Sequence, residues 1–226
     1  VDAGNVNNQT TTGTIGYNYV LNHKDSIGAF YRFSAYHYSG QPQANGDHSV
    51  NFAYSRKLTG SLALQLYVGP DFTTSRISTT GSSLIYGVNV GTSLNYATQK
   101  GGLTASYSHG VSGGSGVLTG STGDQLNLSA NHKINRVWSG QLNVGFAHNA
   151  PLTISSPTTL QGYNTWTVGG GVNRPAGRNG TIAIAYNADI TDYGQAGCVG
   201  VACTSSQTYH YITINFQWHT RPLILP

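Results

Sequence analysis

Two cysteines and eight histidines are the side chains of this 226-residue chain best suited to redox chemistry or metal binding. Cys198 and Cys203 stand in the segment CVGVAC, and the four residues between them permit a small disulfide in an oxidising compartment. Such a bridge would contribute about 2 kcal/mol by restricting the unfolded chain. A metal ion needs more ligands than this pair supplies. We therefore expect a structural disulfide, and neither a metal site nor a cofactor.

Histidine and serine are the residues from which a hydrolytic site would be built. No G-x-S-x-G element occurs, and Glu is absent from the chain. Because catalytic groups can converge from distant strands, an outer-membrane lipid hydrolase stays open as an alternative. The main expectation is a protein that is not an enzyme and has no catalytic residues. The histidines are scattered without the H-x-x-x-H spacing of zinc sites, at His23, His37, His48, His109, His132, His148, His210 and His219.

The composition limits the classes of fold that could hold such groups in place. Charged residues make up 8% of the chain, whereas a soluble domain usually carries about 25%. A membrane helix needs about 20 consecutive apolar residues, and Gly, Ser, Thr or Asn interrupts every apolar stretch here. Residues 1–12 are polar and lack a secretory signal, so we expect a mature or trimmed chain. The class that remains is rich in β-strands and covered by lipid.

Apolar and small polar residues alternate along the chain with a period of two. In the last segment Ile212, Ile214 and Phe216 alternate with Thr213 and Asn215. A soluble β-sandwich also alternates, but its outward faces would be charged. Most segments exceed the roughly 9–11 residues that a tilted strand needs to cross a bilayer. The pattern predicts eleven strands, near 9–22, 27–38, 47–57, 61–73, 82–98, 102–113, 122–135, 139–149, 160–173, 180–192 and 207–219.

The connections between these segments alternate between short and long, as the turns and loops of outer-membrane barrels do. The charges are sorted accordingly, with only Asp25, Arg32 and Arg76 as exceptions. Without a basic cluster, no nucleic-acid partner is expected. An acidic rim could instead meet divalent cations or cationic solutes. The short-turn end holds Lys24, Arg56, Lys57, Lys100, Lys133, Arg136, Arg174, Arg178 and Arg221, and the long-loop end holds Asp2, Asp47, Asp71, Asp124, Asp189 and Asp192.

The two faces of the predicted strands have different tasks. The small polar face predicts the lining of a barrel lumen, with Arg32 as its main charge. The predicted lining comprises Arg32, Ser49, Asn51, Ala53, Gln65, Asn89, Gly91, Asn127, Asn143, Thr167, Gly171, Asn187 and Asn215. Aromatic residues on the apolar face predict membrane-interface girdles, chiefly Tyr19, Tyr54, Tyr96, Trp166 and Trp218.

The C-terminal segment YITINFQW, Tyr211–Trp218, resembles the terminal strand of the bacterial outer-membrane β-barrel (porin-like) superfamily. The resemblance covers nearly the whole chain as a pattern, without the motif of a specific family. It implies an all-β, antiparallel, up-and-down transmembrane barrel in the bacterial outer membrane. Single bacterial chains close with an even number of strands. We therefore expect residues 1–226 to form a single domain of a barrel with about 12 strands. The twelfth strand lies upstream of Val1, or else the pattern merges or misses one segment.

A barrel of about twelve strands lies between barrels filled by their own side chains and wide aqueous channels. The expected function is transport of small solutes through a narrow pore with a neutral polar lumen. The alternative is a non-conducting barrel that anchors or scaffolds an envelope assembly. The expected partner in both cases is outer-membrane lipid. A pore would also bind small solutes, and an anchor or scaffold would bind an envelope protein.

Overall fold

A computed structural model describes residues 8–38, 43–77, 81–113, 120–152, 162–177, 179–193 and 206–218. These ranges contain eleven strands, each antiparallel to the next along the chain in one continuous sheet. Within them no helix is long and apolar enough to cross a membrane. The strands are β1 (Asn8–Val20), β2 (Asp25–Tyr38), β3 (Gln43–Lys57), β4 (Leu62–Ile77), β5 (Gly81–Thr98), β6 (Gly101–Ser112), β7 (Ser121–Lys133), β8 (Ser139–Pro151), β9 (Tyr163–Ala176), β10 (Gly180–Asp192) and β11 (Ser206–Trp218).

The predicted all-β, up-and-down architecture and the eleven segments are confirmed. The largest boundary differences lie at the ends of β3 and β4, which begin at Gln43 and end at Ile77. The polar residues there continue the ladder, since Asn45 pairs with Ser75 and Asp47 with Thr73. Small polar side chains weaken the alternation that marks a strand in sequence, although the backbone pairs equally well.

The short turns share one hydrogen-bonding pattern. Asn22, Thr59 and Asn135 each accept bonds from the backbone N–H groups two and three residues further along. Asn and Thr side chains that bond forward in this way mimic a backbone turn. The tight reversals predicted near these residues are confirmed. All three lie at the same end of the sheet, called here the turn end; the opposite end is the loop end.

The two faces of the sheet differ in polarity. The polar face is the more buried and the apolar face the more exposed, which is the reverse of the arrangement in soluble proteins. Polar side chains of one phase are buried, among them Asn45, Ser49 and Asn89, whereas apolar side chains of the other phase are exposed. The sheet curls so that its polar face is concave. A Cβ placed on Gly120, just before β7, would meet the side chains of Tyr38 and Asn45 on β2 and β3.

Aromatic rings also occupy the concave face, which the sequence pattern did not predict. The ring of Tyr67 covers Gly91 on the neighbouring strand, and its centroid lies 5.8 Å from that of Phe30 in an edge-on arrangement. Tyr36 and Tyr38 are buried nearer the loop end. The concave face of β2 to β5 is therefore packed, while Asn127 and Ser129 on β7 are exposed, as is Gln65 near the turn end of β4.

The first and last strands form the edges of the sheet. Among the described strands, β1 pairs only with β2 and β11 pairs only with β10. The register shows that β1 and β11 both run from the loop end to the turn end, because Val20 pairs with Ser26 and Trp218 with Gly180. The two edges are therefore parallel to each other in direction.

Candidate functional site

The residues predicted to line a lumen lie on one face of the sheet. The register links Arg32 through Ser49 to Asp71, and Gln65 through Ser93 and Ser106 to Asn127. The same face continues around the sheet, and the exposed fraction of its members differs. Asn51 and Asn89 are buried, whereas Gln65 and Asn127 are exposed. All of Arg32, Asn51, Gln65, Asn89, Asn127, Asn143, Asn187 and Asn215 share this concave phase.

A polar cavity of about 130 Å³ lies between the two walls of the curled sheet. Arg32, Tyr67 and Asn89 line it from β2, β4 and β5, while Gln125 and Asn149 line it from β7 and β8. Amide groups both donate and accept hydrogen bonds. The cavity is therefore chemically suited to small polar species.

The most deeply buried charged residues of the described chain lie on β3 and β4, beside this cavity. Asp47 is 0% exposed and Asp71 is 1% exposed. Their carboxyl groups lie close enough to interact directly. Thr73 donates a hydrogen bond to Asp47 Oδ1 at 3.1 Å. Ser49 stands opposite Asp71 in the register, and it accepts a hydrogen bond from Asn51 Nδ2 at 3.0 Å.

Buried side-chain atoms without a hydrogen-bond partner concentrate at this point. Within the described ranges these atoms are Arg32 Nε, Asp47 Oδ2, Asn51 Oδ1 and both carboxylate oxygens of Asp71. Burying a polar group without a partner costs about 1–3 kcal/mol, and more for a charged one. Four of the five atoms are oxygens that accept hydrogen bonds or bind cations. We call Asp47, Ser49, Asn51, Asp71 and Thr73 the interior oxygen cluster.

The sequence predicted Asn51 and Ser49 on the lumen face but placed Asp47 and Asp71 only on an acidic rim. The two carboxylates are 24 positions apart in number, and their meeting depends on the register of β3 against β4. Their shared phase with Asn51 was the available signal. The described residues contain no group of three or more His, Cys, Asp or Glu side chains placed to hold a metal.

The predicted interface aromatics lie on the convex face. Tyr19, Tyr96, Trp166 and Trp218 are exposed. Tyr54, half-buried, donates its hydroxyl hydrogen to Asp25 Oδ1 at 2.7 Å. The aromatic residues predicted for the membrane interface therefore all lie on the outward-facing side of the strands.

Histidines on the convex face pair with neighbouring side chains toward the loop end. The Tyr31 hydroxyl lies 2.6 Å from His48 Nδ1, and the Tyr186 hydroxyl lies 2.7 Å from His210 Nδ1. His109 Nδ1 lies 2.9 Å from Asp124 Oδ1. The register partners of His109 are Val90 and Asp124.

Two of the three charges that broke the end-to-end sorting have an opposite charge nearby. Asp25 lies at the turn end, where Arg56 Nε approaches its Oδ1 at 3.6 Å and Asn22 donates to its Oδ2 at 2.9 Å. Arg32 lies near Asp47 in the interior. Cys198, Cys203, Arg178 and Arg221 lie outside the described residues.

No protein-family profile matches the chain, and no curated protein matches it. The fold therefore defines only a class, an all-antiparallel, up-and-down β protein whose curled sheet carries a polar concave face and an apolar convex face. The interior oxygen cluster and the adjacent cavity are the features of that class from which a function can be argued.

Proposed function

We propose that this chain forms an outer-membrane, porin-like β-barrel that admits small polar solutes through a narrow lumen. The observation that carries the proposal is the inversion of the two faces. On β11, Ile212 and Ile214 are 70% and 72% exposed, whereas polar residues of the concave phase on β3 are buried. Large apolar side chains that cover a whole convex face are favourable against lipid and costly against water.

The lumen would be polar, neutral for most of its length and narrow. Its exposed wall lies on β7, where Gln125, Asn127 and Ser129 face the interior. The opposite wall is packed by Phe30 and Tyr67. Small hydrogen-bonding solutes suit such a passage better than large or strongly charged ones.

A non-conducting barrel that anchors or scaffolds an envelope assembly is the second candidate. The observation that favours it is the packing at the loop end, where Tyr36, Tyr38 and Asn45 are buried. A Cβ on Gly120 would meet Leu152 as well as Asn45 and Tyr38. If the packed region spans the whole interior, solutes cannot pass through the barrel, and its role is structural.

A further antiparallel strand would complete the barrel in either case. Unpaired backbone groups at an open sheet edge do not occur against lipid, because each costs several kcal/mol. Since β1 and β11 run in the same direction, an antiparallel closing strand runs from the turn end to the loop end. A second copy in the same membrane offers only edges of the same direction as β1 and β11. We therefore propose that the closing strand comes from the same polypeptide as the eleven.

Conductance across planar bilayers tests the pore. The complete natural protein should give discrete current steps in KCl. Asn127→Trp should reduce the step size, because the ring would occupy the exposed interior wall. Leu128→Trp is the matched control, since Leu128 is the outward neighbour and is also exposed. An absence of steps, with folded protein present in the bilayer, would reject the pore and favour the anchor.

A further inference from the structure

We propose that the interior oxygen cluster binds a hard, oxygen-preferring metal cation such as Ca²⁺ or Na⁺. Asp47 and Asp71 supply two carboxyl groups that interact with each other. No other described group donates a hydrogen bond to Asp47 Oδ2 or to either oxygen of Asp71, and the amide oxygen of Asn51 is also without a partner. All three side chains are at most 1% exposed. This inference concerns the interior of the barrel and does not depend on whether solutes pass through it.

The donor chemistry selects the class of ion. Carboxylate, amide and hydroxyl oxygens are the ligands of Ca²⁺ and similar hard cations, whereas Zn²⁺ and Cu²⁺ favour nitrogen and sulfur. The cluster holds neither His nor Cys. Ser49 and Thr73 add hydroxyl oxygens on the same concave face. Mg²⁺ gives up its water shell reluctantly, so a site this deeply buried favours Ca²⁺ or Na⁺ over Mg²⁺.

The charge balance favours a cation rather than an empty cluster. Two carboxylates in contact repel each other, and burial strengthens the repulsion because little water screens it. Arg32 is the nearby positive charge, but Asp71 acts on Asp47 more strongly than Arg32 does. With both carboxyl groups ionised, one guanidinium against two carboxylates leaves a net charge of −1, which either a proton shared by the two acids or a bound cation removes. Buried charges are ordinarily paired or bound to metal, and a cation between the two carboxylates satisfies this condition.

Asn51 gives evidence independent of the two acids. Its Nδ2 is held by Ser49 Oγ at 3.0 Å, and Asn89 Nδ2 lies 3.5 Å from the same hydroxyl. The Asn51 amide is thus fixed against the residue that faces Asp71 across the ladder. Its Oδ1 nevertheless remains buried without a partner. Asn51 is a diagonal neighbour of Asp71 across the ladder, and a neutral amide oxygen is a common component of calcium sites.

Thermal unfolding of the folded natural protein in detergent tests the site. After a chelator has removed bound ions and has itself been removed by exchange into choline chloride, addition of Ca²⁺ or of Na⁺ should raise the unfolding midpoint. The rise should grow with the logarithm of the ion concentration and reach about 5 °C at ~100 times the dissociation constant. Parallel titrations with Ca²⁺, Na⁺ and Mg²⁺ distinguish the ions. Choline is too large to enter the cluster and serves as the ionic-strength control.

Asp71→Asn and Asp47→Asn should abolish the cation-dependent rise. Removal of one charge also relieves repulsion, so the midpoint without cation can increase in these variants; the diagnostic quantity is its dependence on cation concentration. Asp189→Asn is the matched control, because Asp189 shares the concave phase on β10, away from the cluster. The proposal is overturned if the wild-type midpoint responds only to pH, or if Asp71→Asn retains the full cation response. Conductance plays no part in these readouts, so a closed barrel would leave them unaffected.

Discussion

The Tyr54 hydroxyl donates a 2.7 Å hydrogen bond to Asp25 Oδ1 across the β2–β3 ladder at the turn end. Arg56 and Asn22 contact the same carboxylate. Together these contacts fix the beginning of β2 against the end of β3. They also explain why one acidic residue lies among the basic residues of the turn end.

Tyr54→Phe should lower the urea midpoint of unfolding, because it leaves Asp25 without its shortest hydrogen bond while the aromatic ring is retained. Arg56→Gln should have a smaller effect, since its ion pair is longer and exposed. Tyr96→Phe is the control, because the Tyr96 hydroxyl meets no donor or acceptor among the described residues. Equal midpoints for Tyr54→Phe and Tyr96→Phe would show that the Asp25 contact contributes nothing.

Gly69→Ala should destabilise the barrel by about 3 kcal/mol, at the upper end for overpacking. A Cβ at Gly69 would overlap the carbonyl oxygen of Val50 on the paired strand, and backbone cannot move aside as a flexible side chain can. Gly46→Ala is the matched control, since a Cβ there has nothing within 4 Å. Urea titration of folded protein in lipid vesicles measures both. If Gly69→Ala unfolds at the same urea concentration as Gly46→Ala, the close approach of β3 and β4 at Gly69 is wrong.

Period-two alternation predicted the fold because the apolar convex face and the polar concave face require opposite polarities of successive residues. It placed Asn51 and Asn89 on the concave face correctly. It did not identify Phe30 as an interior residue, because β2 carries aromatic residues in both phases, as in Phe30 and Tyr31. Within such a run, polarity does not distinguish the two faces.

The interior oxygen cluster could not be predicted from the sequence, for a different reason. Alternation shows which face a residue occupies, but not its height on the barrel relative to the next strand. Asp71 faces Ser49 only because β3 and β4 pair in one particular register. A shift of two residues would preserve every face assignment but would place Asp71 opposite Asp47 or Asn51 instead of Ser49.

Leu128→Arg should destabilise the folded barrel in lipid by about 2–4 kcal/mol, the cost of a cation on the lipid face near the middle of the bilayer. Leu128 lies near the middle of β7 and points outward. Asn127→Arg is the matched control. Asn127 is the residue next to Leu128, and a side chain at this position lies on the exposed interior wall, where its charge stays hydrated. The measurement is reversible unfolding in vesicles. Equal costs for the two variants would contradict a lipid-covered convex face.

Hydrogen exchange on the complete natural protein should show the closing strand. The backbone N–H groups of β1 and β11 that point away from β2 and β10 have no partner among the described strands. If an antiparallel strand from the same polypeptide fills the gap, these amides should exchange as slowly as those of β10. A chain limited to residues 8–218 provides the comparison, and its same edge amides should exchange orders of magnitude faster because nothing holds them closed. Fast exchange at these amides in the complete protein, with slow exchange in β10, would show that the sheet stays open, and an open edge is incompatible with a transmembrane barrel.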